Sequence, residues 1–425
     1  MGDKRMPTER EIVERIVAEG VFAYDARRPA ELTRAVQALA ARPGASAAVF
    51  ALMQAEVLAV WQRGWQPFEL HRSVKKALTE EHARLAGAAM LAQTRAYAPA
   101  TVDERWQAQL AQITAKPRSA ASPGKAADPG GPGKAAGPDE PANPGDDANR
   151  DGAVGQADPQ LVIQTIWHLR RLPGLPFQGP LPGEARPQHV SPKTVDQKML
   201  DRVRALLAKA ESTTFPEEAE AYTAKAQELM TRHSIDFALL MARTGGKDEP
   251  AVRRIPIDNP YEAAKTLLLQ AVAEANGCRS VWMEYYGFAT VTGFPGDLDS
   301  VELLFTSLLV QAVAAMTQSG PKQDRFGRNN TRSFRLAFLT AYAQRIGERL
   351  RGATETAVSE TIRDVGESTL LPVLKARSEE VAAKFQELFP ALKTRSITVS
   401  NRQGWAEGRA AADRADLHGR RAVRE

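Results

Sequence analysis

The chain has 425 residues, a formal net charge of +5 at pH 7 and an isoelectric point near 9.2. This length is too great for one ordinary hydrophobic core and predicts two or three domains. A single cysteine, Cys278, excludes a disulfide within the chain and a thiolate metal cluster. The mild positive charge permits a polyanionic partner without requiring one.

No targeting or membrane segment is predicted. The N-terminal sequence has no apolar run after its charged residues, so it does not fit a secretory signal. The longest uninterrupted apolar run, residues 47–53, is far shorter than the roughly 20 residues that a membrane helix needs. The sequence therefore predicts a cytoplasmic protein with no membrane partner.

Residues 1–115 predict an N-terminal helical domain. Thr8 and Glu11 fit a capping box, in which each side chain binds the backbone N–H of the other residue. Thr101 and Glu104 fit a second one. After the first helix, helical patterns cover about 30–42, 45–62, 67–97 and 102–114.

The composition changes sharply after this domain. Residues 116–160 are rich in Pro, Gly, Ala and Asp, and no aromatic residue lies between Trp106 and Trp167. Such a segment buries too little apolar surface to offset the entropy of ordering, so a disordered linker is predicted. Residues 161–192 then hold a short amphipathic helix and a Pro-rich segment. We expect this tethered helix to dock on a surface of this chain or of another protein.

Residues 193–243 predict an antiparallel helical hairpin. Thr194 and Gln197 fit a capping box, and apolar residues follow at the helical period in both arms. Ser234 is a natural N-cap for a third, appended helix. On this interpretation His233 stands at the C-terminal end of the second helix.

Residues 250–425 alternate between strand and helix patterns. Strands are predicted at 253–257 and 395–400, with a hairpin turning around Gly287. A flexible basic tail ends the chain. The predicted fold class is mainly α, with an N-terminal helical bundle, a helical hairpin and a C-terminal α+β domain that holds a small antiparallel sheet. Its helices are expected at about 260–276, 297–318, 332–363, 373–388 and 402–416.

Two stretches of the hairpin, "DRVRALLAKAEST" and "EEAEAYTAKAQELMTRHSID", resemble a bacterial and phage family known as domain of unknown function 2786. The region after the hairpin looks like the α+β domain that often follows it, and the N-terminal helices resemble a leader of actinobacterial members. The resemblance implies a fold but no activity, because the family has no established reaction. It rests on Leu206, Leu207, Ala210, Glu217, Ala219, Glu220, Ala226, Leu229, Met230, His233 and Ile235.

Two roles are open for His233. At a helix end the imidazole can cap free carbonyls and interact favourably with the helix dipole, which is the favoured interpretation. Alternatively, His233 and Asp236 belong to a polar site. The six histidines of the chain lack the spacing of metal ligands, so neither a metal nor a cofactor is predicted.

The strongest basic cluster lies in residues 321–338. Cationic side chains there run into a predicted helix N-terminus, an arrangement that can hold phosphates. The alternative is a solvated loop whose arginines pair with nearby carboxylates. The candidate phosphate-binding residues are Lys322, Arg325, Arg328, Arg332 and Arg335.

The last predicted helix carries Gly404, Gly408 and Ala412 at intervals of four residues. A stripe of small residues lets another backbone approach closely and therefore indicates packing. Arg409 and Asp413, also four residues apart, are expected to pair with each other on the surface.

Three functions are compatible with these patterns. The first is a non-enzymatic helical adaptor or assembly module with a protein partner or self-association, because reactive residues lack neighbours. The second is weak, sequence-independent nucleic-acid binding through the basic cluster. The third is an enzyme whose groups come together from scattered positions such as His233, Glu284, Tyr285 and Asp299.

Overall fold

The computed structural model describes residues 8–114, 158–185, 193–212, 216–246, 248–323, 328–392 and 401–414. The predicted linker lies outside these residues except for its last three positions, and so do the strand predicted at 395–400 and the basic tail. The chain divides into two compact units, Met1–Pro187 and Gln188–Glu425.

The described part of the N-terminal unit is helical. Thr8 and Glu11 form the predicted capping box at its start. The prediction at Thr101 and Glu104 is wrong, because the Asp103 carboxylate accepts from the Arg105 N–H at the start of that helix. The helices are α1 (Glu9–Asp25), α2 (Pro29–Ala40), α3 (Ala45–Trp61), α4 (Pro67–Ala77), α5 (Glu80–Thr94), α6 (Glu104–Thr114) and α7 (Pro159–Arg171), with a 3-10 turn at Pro99–Thr101.

Helix α7 lies in the core of this unit and packs against α1 to α5. Ile163, Ile166 and Leu169 are fully buried. Gly20 of α1 makes room for it, since a Cβ there would lie 2.6 Å from the Ile163 Cδ1 atom. The helix predicted as a tethered segment is thus part of the N-terminal bundle, where its apolar face is already covered. The helix predicted over 67–97 is two helices, α4 and α5.

A buried polar pair joins α4 to α7. The His168 Nε2 atom lies 2.9 Å from the Ser73 hydroxyl, and both side chains are buried. Burial lowers the pKa of His168 to about 4, with a smaller contribution from His82. The imidazole is therefore neutral at physiological pH, and charging it in place would cost folding free energy.

The C-terminal unit confirms the predicted fold class of helices around a small antiparallel sheet. One prediction for its helices is wrong: no separate helix begins at Ser234, because the second arm of the hairpin continues for 29 residues. The elements are α8 (Lys193–Ser212), α9 (Pro216–Thr244), β1 (Ala251–Pro256), α10 (Glu262–Ala275), β2 (Arg279–Met283), β3 (Phe288–Gly293), α11 (Pro295–Gln318), α12 (Thr331–Val365), α13 (Glu367–Leu388) and α14 (Arg402–Arg414).

The three strands lie in the order β1-β3-β2, with β3 antiparallel to both neighbours. Thr290 of β3 lies opposite Arg254 on one side and Val281 on the other. The predicted hairpin turns at Gly287, whose φ of 75° favours glycine. The central strand β3 is buried along its whole length, so it belongs to the core against which the helices pack.

The hairpin of α8 and α9 shares one hydrophobic core with the sheet and with α10, α11, α12 and α14. Val203 and Met230 of the hairpin belong to the same buried cluster as Val291, Leu304 and Ile346. A smaller cluster joins the C-terminal half of α9 to α12 and α13. By length and composition α11 is apolar enough to cross a membrane, but 44% of its apolar window is buried here.

Candidate functional site

His233 lies inside α9, not at its end. The helix runs on to Thr244, so the backbone carbonyls around His233 are not free, and its predicted role as a helix cap is wrong. The half-buried imidazole lines a small cavity instead. Asp236 is exposed and does not line this cavity, so the cavity does not bring the two predicted residues together.

The cavity encloses about 80 Å³ and lies among α9, the start of α11, α13 and the segment before β1. A volume of this size holds several water molecules or a small ligand, since one water needs roughly 10–15 Å³. Its wall includes apolar side chains from Met230, Phe237 and Phe294. The polar side chains of the wall come from His233, Ser234, Asp248, Asp297, Ser300 and Arg377.

A buried ion pair forms the floor of the site. The guanidinium of Arg377 lies 3.1 Å from the Asp297 carboxylate, and these side chains are only 15% and 12% exposed. Arg377 also lies 3.9 Å from Asp248 and sits over the Phe294 ring, 3.6 Å from its centroid. Ser234 of the hairpin lines the same cavity and favours the ionised form of the Asp297 carboxyl. The ion pair of Arg377 with Asp297 therefore joins α13 to the start of α11.

Burial raises the pKa of the Asp297 carboxyl, while Ser234, Arg377 and His233 act in the opposite direction. Burial is also the largest cause of the raised pKa of Asp248. Carboxyl groups with raised pKa values in a cavity are typical of binding or catalytic sites, although structural ion pairs produce the same effect.

Asp248, Asp297 and Arg377 were missed by the sequence reasoning because they are far apart in the chain. The available signal was local: Pro295 and Asp297 are typical of the first turn of a helix. The other residues considered for an enzyme lie elsewhere. Asp299 pairs with Arg253 at 2.5 Å, and Tyr285 is 67% exposed in the turn between β2 and β3. Neither Glu284 nor Tyr285 lines the cavity.

The predicted phosphate-binding residues surround the start of α12. Lys322 is engaged by Glu407 at 3.2 Å and lies over the Phe334 ring. Arg325 lies outside the described residues, whereas Arg328 and Arg332 are exposed. Arg335 is half-buried, and its Nε atom is buried without a hydrogen-bond partner among the described residues.

Helix α14 brings a further arginine to the same end. A Cβ on Gly404 would collide with the Phe334 carbonyl, and one on Gly408 with the Phe338 carbonyl. Because Gly404 precedes Gly408 as Phe334 precedes Phe338, the two helices run parallel and both begin at this end. Arg402 is exposed in the first turn of α14. We call Arg328, Arg332, Arg335 and Arg402 together the arginine end.

The packing predicted from the small residues of α14 is thus a backbone contact with α12. The surface pair predicted within α14 is wrong, because its members pair across this contact. Arg409 lies 3.1 Å from Glu348, and Asp413 binds Arg345. Ion pairs between the helices fix the parallel register in addition to the glycine contacts.

Residues 198–236 match the model of a protein family of unknown function, DUF2786. This DUF2786 segment covers less than a tenth of the chain and confirms the resemblance of the hairpin. The resemblance of the following α+β region stays a prediction. No curated protein and no solved structure matches the chain. The DUF2786 segment supplies Met230, His233 and Ser234 to the cavity wall.

Metal binding has no support within the described part of the chain. None of its His, Cys, Asp and Glu side chains form a group of three that could hold a metal ion. Cys278 is buried, and burial raises its pKa, so its thiol is not activated. Within the described residues, the arginine end and the cavity are the candidate sites that follow from the geometry.

Proposed function

We propose that the C-terminal unit binds the phosphate backbone of nucleic acid through the arginine end. The observation that carries this proposal is the parallel packing of α12 and α14, which adds Arg402 to the basic residues predicted from the sequence. Arg332, Arg335 and Arg402 have no carboxylate within ion-pair distance among the described residues. These guanidinium groups are therefore available to an external anion.

The helix backbone adds to the positive electrostatic potential at the arginine end. A helix carries roughly half a positive charge at its N-terminus, and here two N-termini lie side by side. Asn330, the N-cap of α12, makes no side-chain capping bond, although Asn329 accepts from the Thr331 N–H. The remaining N–H groups of the first turn can donate to phosphate oxygens.

Binding of this kind should be weak, salt-sensitive and independent of sequence. Contacts to phosphates position a protein on nucleic acid but carry no base information. Lys322 contributes less than the sequence suggested, because Glu407 already neutralises it. The protein is accordingly a nucleic-acid-associated binding protein in this proposal.

Fluorescence anisotropy with a labelled mixed-sequence DNA duplex at about 50 mM salt, where phosphate contacts are strongest, tests the proposal. The double variant Arg332→Gln/Arg402→Gln should weaken binding about tenfold or more. A matched control is Arg243→Gln/Arg363→Gln, which removes two exposed helical arginines elsewhere in the same unit. No binding by the folded wild type, or equal loss in both doubles, contradicts the proposal.

Self-association is a second candidate. The tethered helix no longer supports it, since α7 is part of its own bundle. Its remaining support is the exposure of Leu240 and Leu371, 50% and 41%, each next to a buried leucine of the small cluster of α9, α12 and α13. Sedimentation velocity over a hundredfold concentration range tests it. A concentration-dependent dimer that Leu240→Glu abolishes supports it, and a strict monomer rejects it.

A further inference from the structure

Among the described residues that line the cavity, the charges do not balance. Asp248 and Asp297 supply two carboxylates, whereas Arg377 supplies one guanidinium. Arg377 is within hydrogen-bond distance of Asp297, but its closest approach to Asp248 is 3.9 Å, beyond that distance. Glu380 adds negative potential at Asp248, and His233 offsets part of the negative potential at Asp297.

Asp248 therefore keeps acceptor capacity for a second cation. An ionised carboxylate has about four lone-pair positions, and among the described residues the ion-pair partner of Asp248 is the Arg377 guanidinium 3.9 Å away, with a smaller favourable effect of the Glu249 backbone. Its carboxylate is half-buried at the cavity wall, where a bound cation would be screened less by water than at an open surface. The site thus favours a ligand with one positive charge.

The rest of the wall favours an organic cation over a metal ion. Met230, Phe237 and Phe294 give it an apolar part, and aromatic and thioether groups pack well against the carbon atoms of an alkylammonium ion. The carboxylates and the imidazole are not placed as a set of metal ligands. A cavity of about 80 Å³ limits the ligand to a few heavy atoms.

We propose that this cavity binds the ammonium group of a small alkylamine. Asp248 accepts the hydrogen bonds of the ammonium group, and Phe237 and Met230 cover the carbon atoms next to it. Arg377 and Asp297 neutralise each other in their ion pair and hold the wall in place, so neither of them binds the amine. This site is separate from the arginine end, and its binding does not depend on nucleic acid.

Isothermal titration calorimetry of the full chain with n-butylamine tests this inference. The wild type should show saturable binding at one site. Asp248→Asn keeps the shape of the side chain and should weaken binding about tenfold or more, the effect expected of losing a charge-assisted hydrogen bond. Glu249→Gln is the matched control, because it removes the adjacent exposed carboxylate and should leave binding unchanged.

A second variant tests the cavity without touching its charges. A Cβ on Gly296 meets no atom within 4 Å, so a side chain can start there, and the bulk that Gly296→Leu adds at the wall should block the amine. Tighter binding of Nα-acetyl-lysinamide than of butylamine would support the inference and would indicate that the bound ammonium group belongs to a lysine side chain. Absence of saturable binding by the folded wild type, unchanged binding by Asp248→Asn, or equal competition by potassium ions overturns the inference.

Discussion

Gly408 of α14 lies directly against the backbone carbonyl of Phe338 in α12, and no side chain fits between them. Gly404 has the same relation to Phe334 one turn earlier. These two contacts set the direction of α14, and that direction places Arg402 beside the start of α12. The glycines of the last helix therefore determine the composition of the arginine end.

Replacing Gly408 should destabilise the C-terminal unit. Gly408→Ala places a methyl group against the Phe338 carbonyl, and overpacking of this kind typically costs about 1–3 kcal/mol. Gly352→Ala in α12 is the control, because its Cβ would meet no atom within 4 Å and alanine favours a helix by about 1 kcal/mol. Thermal unfolding followed by circular dichroism should show a lower midpoint for the first variant only. Equal midpoints would mean that the two helices are not in backbone contact.

Acid should destabilise the N-terminal unit through His168. Its pKa of about 4 lies below the ordinary value of 6.5, so the unfolded chain binds more protons between these values and stability falls as pH falls. A shift of this size corresponds to about 3 kcal/mol. The His168→Gln variant has no side chain that titrates at this position. Between pH 7 and pH 4 the unfolding free energy of this variant should therefore decrease by about 3 kcal/mol less than that of the wild type. Urea unfolding at several pH values measures this, and parallel pH profiles for the two proteins would refute the prediction.

Asp297 should have the opposite pH dependence. Its folded pKa is raised, so the folded state binds more protons just above the ordinary value of 3.8, and stability falls as pH rises through that window. Asp297→Asn removes this titration and should flatten the decline. The control is Glu249→Gln, which changes an exposed carboxylate near the same site. An unchanged pH profile in Asp297→Asn would show that the carboxyl is not buried as described.

The sequence predicted the helices and the small sheet because their signals are local. Apolar periodicity and the capping box at Thr8 depend on neighbours within a few residues. Ser234 shows the limit of such reasoning. It has the pattern of an N-cap, but it lines the cavity together with Asp297 of another helix, and α9 continues through it. Tertiary contact thus overrides the local preference of serine.

The candidate sites were predictable only in part. The basic residues near α12 are close in sequence, so their cluster was visible, but Arg402 joins it through a helix contact between distant segments. The cavity brings Asp248, Asp297 and Arg377 together from three elements. No spacing rule connects such positions, because only the folded core determines their distances.

The salt dependence of DNA binding tests the central claim most directly. Each phosphate that a protein neutralises on duplex DNA contributes about −0.9 to the slope of log binding constant against log salt. Wild type should give a slope of about −3 if Arg332, Arg335 and Arg402 bind phosphates, and Arg332→Gln/Arg402→Gln should reduce its magnitude by about 2. An identical slope for wild type and this double variant would contradict phosphate binding by the arginine end.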